Sequence, residues 1–162
     1  MAAQPATGRG GIRFRSAGSS GAGREPVIAP LYMLDTNIVS DVIRNPYGAA
    51  AAKVERVGDD RISISSIVAS ELRFGILKRG SERLAYLVET ILDRIEILPY
   101  EDKEASHFAD IRLDLERGGK PIGTTDLFIA AHARSLDLTL VTANVREFAR
   151  VPGLKIENWV EA

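Results

Sequence analysis

The chain has 162 residues, 45% of them hydrophobic, which is enough for one sizeable core and too little for two. Its 21 basic and 22 acidic side chains give a formal charge of -1, so no overall field draws it to nucleic acid or to an anionic membrane. The absence of cysteine excludes disulfides, thiolate metal sites and a cysteine nucleophile, and no apolar run approaches the roughly 18 residues of a membrane span.

Residues 1–30 are different material from the rest. They hold six of the 14 glycines, four arginines (Arg9, Arg13, Arg15, Arg24) and a single acid, with neither helical nor strand period. Such a stretch is expected to be a disordered tail or an over-long start. Its Arg- and Ser-rich character superficially resembles a transit peptide, but the glycines oppose the amphipathic helix that a transit peptide needs. Without this segment the remaining domain, 31–162, carries -4.

From Leu31 onward short β-like runs alternate with helical stretches. "LYML" (31–34), "RISIS" (61–65), "IEIL" (95–98), "LTLVT" (138–142) and a weaker "LKIE" (154–157) are the expected strands. Helices are expected over 37–44, through "GAAAAKVERV", over 66–79 and 82–94 with Ser81 as a cap, over 102–117 closed by Gly118-Gly119, and over 126–136. In 102–117 the inward positions read as Ala105, Phe108, Ala109, Arg112 and Leu115. Phe74, Phe108, Phe128 and Phe148 read as core, and Trp159 as a pin for the chain end. The alternation implies an α/β fold with a mostly parallel sheet covered on both faces, and functional groups at the carboxyl ends of its strands.

Four polar residues, at strand ends or on the helices that follow, stand out. Asp35 follows the first strand, where a helix cap would by itself explain it. Glu71 lies among Ile67, Val68, Leu72 and Phe74, close to an apolar surface where an unpaired carboxylate is costly. Asp126 opens a helix that is apolar almost all round, and Thr124 or Thr125 could cap that helix without it. Asn144 ends the fourth strand as Asp35 ends the first. Three carboxylates and an amide brought together raise one another's pKa, and a hard divalent cation such as Mg2+ or Mn2+ relieves the conflict. His107 and His132 lack metal-ligand spacing and read as core or interface residues.

The stretches "MLDTNIVSDVIRNP", "ISSIVASELRFGILK" and "GKPIGTTDLFIAAHARSLDLTLVTANVREFARVPGLKIENW", in that order and spacing, resemble the PIN-domain ribonuclease toxins of bacterial toxin-antitoxin systems, VapC type. The resemblance implies a three-layer α/β/α PIN-like domain over 31–162, cytoplasmic, hydrolysing RNA phosphodiester bonds with Mg2+ or Mn2+. By the same resemblance Asp35, Glu71 and Asp126 match the catalytic, metal-holding acids. Asn144 falls where many relatives have a further Asp, and Thr142 and Asn37 would be supporting oxygens. It also implies a homodimer and a heteromeric complex with a cognate antitoxin. Arg44, Lys78, Arg79, Arg112, Lys120 and Arg146 are candidates for guiding RNA. Two other readings stand beside it: a haloacid-dehalogenase-like phosphatase with Asp35 as nucleophile, and a non-catalytic PIN-like binding module.

Overall fold

The computed structural model describes residues 28–161, so the reading of the N-terminal segment lies, for 1–27, outside the described residues. Five strands form one sheet: β1 (Tyr32–Leu34), β2 (Ile62–Ser65), β3 (Glu96–Leu98), β4 (Thr139–Val141) and β5 (Ile156–Glu157). All their pairings are parallel, in the order β3-β2-β1-β4-β5. The helices between them are α1 (Thr36–Arg44), α2 (Ala49–Val57), α3 (Ser66–Arg79), α4 (Glu82–Arg94), α5 (Asp102–Arg117), α6 (Thr124–Ser135) and the short α7 (Val145–Phe148). Helical crossovers carry the chain outward from β1 to β3 and then back across the sheet to β4 and β5. The result is the three-layer α/β/α arrangement expected from the alternation.

The central strands are the most deeply sealed. Met33, Ile62, Ile64, Leu140 and Val141 are fully buried and Leu34 nearly so. Every such side chain withdrawn from water contributes about 2 kcal/mol, which lets three- and four-residue strands hold their register. Chain reversals fall where their chemistry allows. Ser81 accepts a hydrogen bond from the Leu84 amide at the start of α4, and Gly80 adopts the left-handed conformation that ends α3. Trp159 is buried edge-on against Tyr32 and pins the chain end, as its position suggested.

Two inward faces differ from the sequence reading. On α5 the buried residues are Glu104, Ile111 and Leu115, so Ala105, Ala109 and Arg112 face outward. The apolar spacing concealed this, because a fully buried glutamate was counted as polar surface. Phe74 is 66% exposed and, with Leu77 and Tyr86, stands on the outer side of the α3–α4 pair; only Phe148 among the four phenylalanines is completely enclosed.

Because the chain changes direction between β1 and β4, their carboxyl ends border a crevice of the kind in which open α/β sheets bind ligands. Asp35 leaves β1 there and Thr142 leaves β4, and the Thr142 hydroxyl donates to Asp35 Oδ2 at 2.8 Å.

Candidate active site

Asp35 is both a helix cap and part of a cluster. Its Oδ1 accepts from the Thr36 amide at 2.8 Å, while Oδ2 accepts from the Thr142 hydroxyl at 2.8 Å and from Asn37 Nδ2 at 3.1 Å. The residue is 5% exposed. Burial pushes its carboxyl above the usual range and nearby Glu71 adds to that, against the three donors. Thr36 and Asn37, the first residues of α1, therefore do more than continue a helix. Asn37 Oδ1 also accepts from the Ala143 amide, tying the ends of β1 and β4 together.

Glu71 arrives from α3, whose Val68, Ala69 and Leu72 are buried against the core. Its Oε2 accepts from the Thr36 hydroxyl at 2.9 Å. Thr36 thus gives its amide to one acid and its hydroxyl to another. Arg73, two residues on, pairs with Glu89 and leaves Glu71 alone.

Asp126 lies in the first turn of α6. Neither threonine caps this helix: Gly123 is the N-cap, without a side-chain bond, and Thr124 and Thr125 are already helical. A fourth acid completes the group. Glu147, on α7, accepts from the Gly123 amide at 3.1 Å and from Asn144 Nδ2 at 2.6 Å. These bonds hold the Glu147 carboxyl below its ordinary range, whereas Asp126 beside it is raised to about 7. Burial is the chief cause for Asp126, followed by the negative charges of Glu147, Asp35 and Glu71. Of the pair, Asp126 holds its proton more tightly than Glu147, because two carboxylates in contact cannot both ionise cheaply.

Asp35, Glu71 and Asp126 are therefore brought to one place from three distant parts of the chain. Asn144 reaches the same place in a different capacity, with its amide nitrogen committed to Glu147 and its backbone N–H to the Thr142 hydroxyl. Thr142 and Asn37 orient Asp35. Glu147 was missed from sequence, although an Asn followed three residues later by Glu has the spacing of a helix-start capping pair and could have flagged it. Among the described residues no Lys or Arg forms an ion pair with any of the four acids.

The donor set is hard oxygen throughout, which suits Mg2+ or Mn2+ and not zinc. The excess of negative charge, evident in the raised Asp35 and Asp126, is the state a dication relieves. Among the described residues no three acidic or histidine side chains already close round a single point as metal ligands do. Such a set suits a cation that keeps part of its water shell, as Mg2+ commonly does beside one or two carboxylates. His132 is fully buried elsewhere and His107 accepts from Arg134 Nε at 3.0 Å, so neither histidine joins the site.

Residues 32–154 match the family model described as PIN domain. The chain is 46% identical over 131 residues to "Ribonuclease VapC2" of Haemophilus influenzae strain Rd, covering 80% of this chain and 98% of that protein. It is 40% identical over 129 residues to "tRNA(fMet)-specific endonuclease VapC" of Shigella flexneri, covering 79% and 97%. Among solved structures, DNA-bound VapBC from Salmonella typhimurium superposes with a TM-score of 0.75 at 40% identity, over 80% of this chain and 98% of that one.

Proposed function

This chain belongs to the PIN-domain family, among the VapC ribonucleases, and from that footing we propose that Asp35, Glu71, Asp126 and Glu147 hold Mg2+ or Mn2+ for hydrolysis of RNA phosphodiester bonds. The observation that carries the reading is the gathering of three further carboxylates, Glu147, Asp35 and Glu71, near Asp126, whose own carboxyl is pushed up to about 7 by burial and by their negative charges. When bound, a divalent ion supplies a water of lowered pKa and offsets the charge that builds on the phosphoryl oxygens.

The protein's own part is preorganisation. Thr36, Asn37 and Thr142 fix both oxygens of Asp35, and Thr36 also fixes Glu71, so these acids need little rearrangement to act. Asp126 is the more basic of the Asp126–Glu147 pair, and the two would hold the cation with Asp35 and Glu71. Asn144 orients Glu147.

A phosphatase of the haloacid-dehalogenase type would not use position 37 as it stands here, where the Asn37 amide is consumed in orienting Asp35 and the Ala143 amide. Family membership removes that reading. The binding-module alternative is disfavoured by the complete set of acids. VapBC complexes among the structural neighbours support an antitoxin partner in a heteromeric assembly; a homodimer and a cytoplasmic setting are part of the same proposal.

The test is incubation of the purified protein with total cellular RNA, with Mg2+, with Mn2+ and with chelator, followed by mapping of the cut ends. Initiator tRNA is the first defined substrate to try, since it is the one printed in a relative's name. Cleavage that needs the ion and vanishes in Asp126→Asn is expected. Equal cleavage in chelator would overturn the metal assignment, and no cleavage of any RNA would overturn the enzyme.

A further inference from the structure

His132 is buried completely, is used by none of the steps above, and sits in a polar chain that joins the two helices bearing Glu71 and Asp126. Its Nδ1 lies 2.8 Å from Ser65 Oγ. Ser65 is itself fully buried at the end of β2 and caps α3, its Oγ accepting from the Ile67 amide at 3.0 Å. That hydroxyl has one proton to give, and among the described residues His132 is its one acceptor. The satisfied arrangement is Ile67 N–H to Ser65 Oγ, then Ser65 O–H to His132 Nδ1, which leaves the ring proton on Nε2. Nε2 has no hydrogen-bond partner among the described residues, while the Pro99 backbone favours the protonated imidazole. Burial pushes the imidazole below its usual pKa, so the ring stays neutral and able to accept.

The surroundings close this chain off. Tyr100 packs edge-on to the His132 ring, with centroids 5.5 Å apart, and gives its amide to Ser66 Oγ at 3.1 Å. Tyr100 thus touches α6 through the His132 ring and the first turn of α3 through Ser66. Glu71 lies one and a half turns further along α3, and Asp126 lies six residues before His132 on α6. Buried hydrogen-bonded chains of this kind select one arrangement of the elements they join.

We propose that His132 is a positioning residue: its acceptance of the Ser65 proton sets the start of α3 against α6, and so sets Glu71 relative to Asp126. The inference rests on the nuclease reading. A purely structural histidine would be replaceable by any side chain that fills the space, whereas this role requires an acceptor at the Nδ1 position.

His132→Asn keeps a polar acceptor near Nδ1, while His132→Phe fills the space without one, and Ser65→Ala removes the chain from the other end. Each is compared with the wild type for folded-state circular dichroism, for kcat and KM on RNA, and for the rise in Tm produced by Mn2+ alone. Expected are an Asn variant within about threefold of wild-type kcat, and Phe and Ala variants that lose about tenfold or more in kcat with KM unchanged. The Mn2+-induced Tm rise should shrink in the Phe and Ala variants and persist in the Asn variant. A folded His132→Phe with wild-type kcat and Mn2+ response would overturn the proposal, as would an Asn variant no better than Phe. Should His132→Phe not fold, Ser65→Ala decides by the same criteria. A wild type that cuts no RNA would sink the nuclease reading instead, and the Mn2+ arm would still judge the positioning role.

Discussion

Glu104 and Asp126 are both acids in the first turn of a helix, both are drawn toward the interior, and their surroundings treat them in opposite ways. Glu104 is fully enclosed, yet it accepts from the Glu101 amide at 2.6 Å and from the Ser135 hydroxyl at 2.8 Å, and Lys103 stands 3.9 Å away. Burial raises its pKa, but these bonds, with the nearby Lys103 charge, outweigh it and hold the carboxyl below the usual range. Asp126 is less buried and is surrounded by Glu147, Asp35 and Glu71, and it rises to about 7. Burial alone therefore does not mark a functional acid. What separates the two is whether the chain supplies donors or further negative charge.

Exchanging the charge on each side sharpens this contrast most. Asp126→Asn should cut RNA cleavage by about 10²-fold or more while leaving the metal-free fold intact or firmer, because a repelling charge is removed. A cleavage assay paired with thermal unfolding in chelator checks both halves; retained activity would take Asp126 out of the mechanism. Glu104→Ala should do the reverse, costing about 2 kcal/mol or more of stability by orphaning the Glu101 amide, emptying the space of a buried side chain and leaving the Ser135 hydroxyl only the His132 carbonyl. Denaturant titration measures that loss.

Glu147→Gln removes one of the charges that raise Asp126. We expect the Asp126 pKa to fall toward its ordinary value and cleavage to weaken by about tenfold, less than for Asp126→Asn, because Glu147 also loses part of its hold on Gly123 and Asn144. Carboxyl titration by NMR in the metal-free protein tests the first part.

The same two acids give stability slopes of opposite sign with pH. Asp126 binds its proton more tightly folded than unfolded, so its contribution is complete below 3.8 and is lost as pH rises through about 7. Glu104, held below its ordinary 4.5, contributes above that value and is lost as pH falls through its lower folded pKa. In chelator, unfolding free energy should decline between pH 5 and 8 by about 1 kcal/mol or more, and saturating Mn2+ should abolish or invert the decline. A flat profile in chelator would mean that the cluster is not repelling. The smallest effect belongs to the surface: breaking the exposed Arg112–Glu116 pair should change stability by less than about 0.5 kcal/mol.

Strand and helix positions, the parallel sheet and three of the four acids were legible from spacing, because periodicity and caps are local chemistry carried by neighbouring residues. The five strand runs and the helices over 66–79, 82–94 and 102–117 correspond to elements at or within two residues of those bounds. Resemblance to a known family supplied the nuclease reading and assigned the acids their catalytic role. The buried side of α5 was not legible, since Glu104 becomes an interior residue only when Ser135 and the Glu101 amide reach it from elsewhere. Glu147 carried one local sign, its capping spacing from Asn144, but its bond to Gly123, 24 residues away, and its nearness to Asp126 arise only on folding. The sequence by itself determined where the chain turns, which segments pair apolar faces, and which acids stand at strand ends. Only the tertiary structure decided which of those acids repel one another and which are satisfied, because a carboxylate's pKa depends on charges and donors within a few ångströms, and folding alone chooses them.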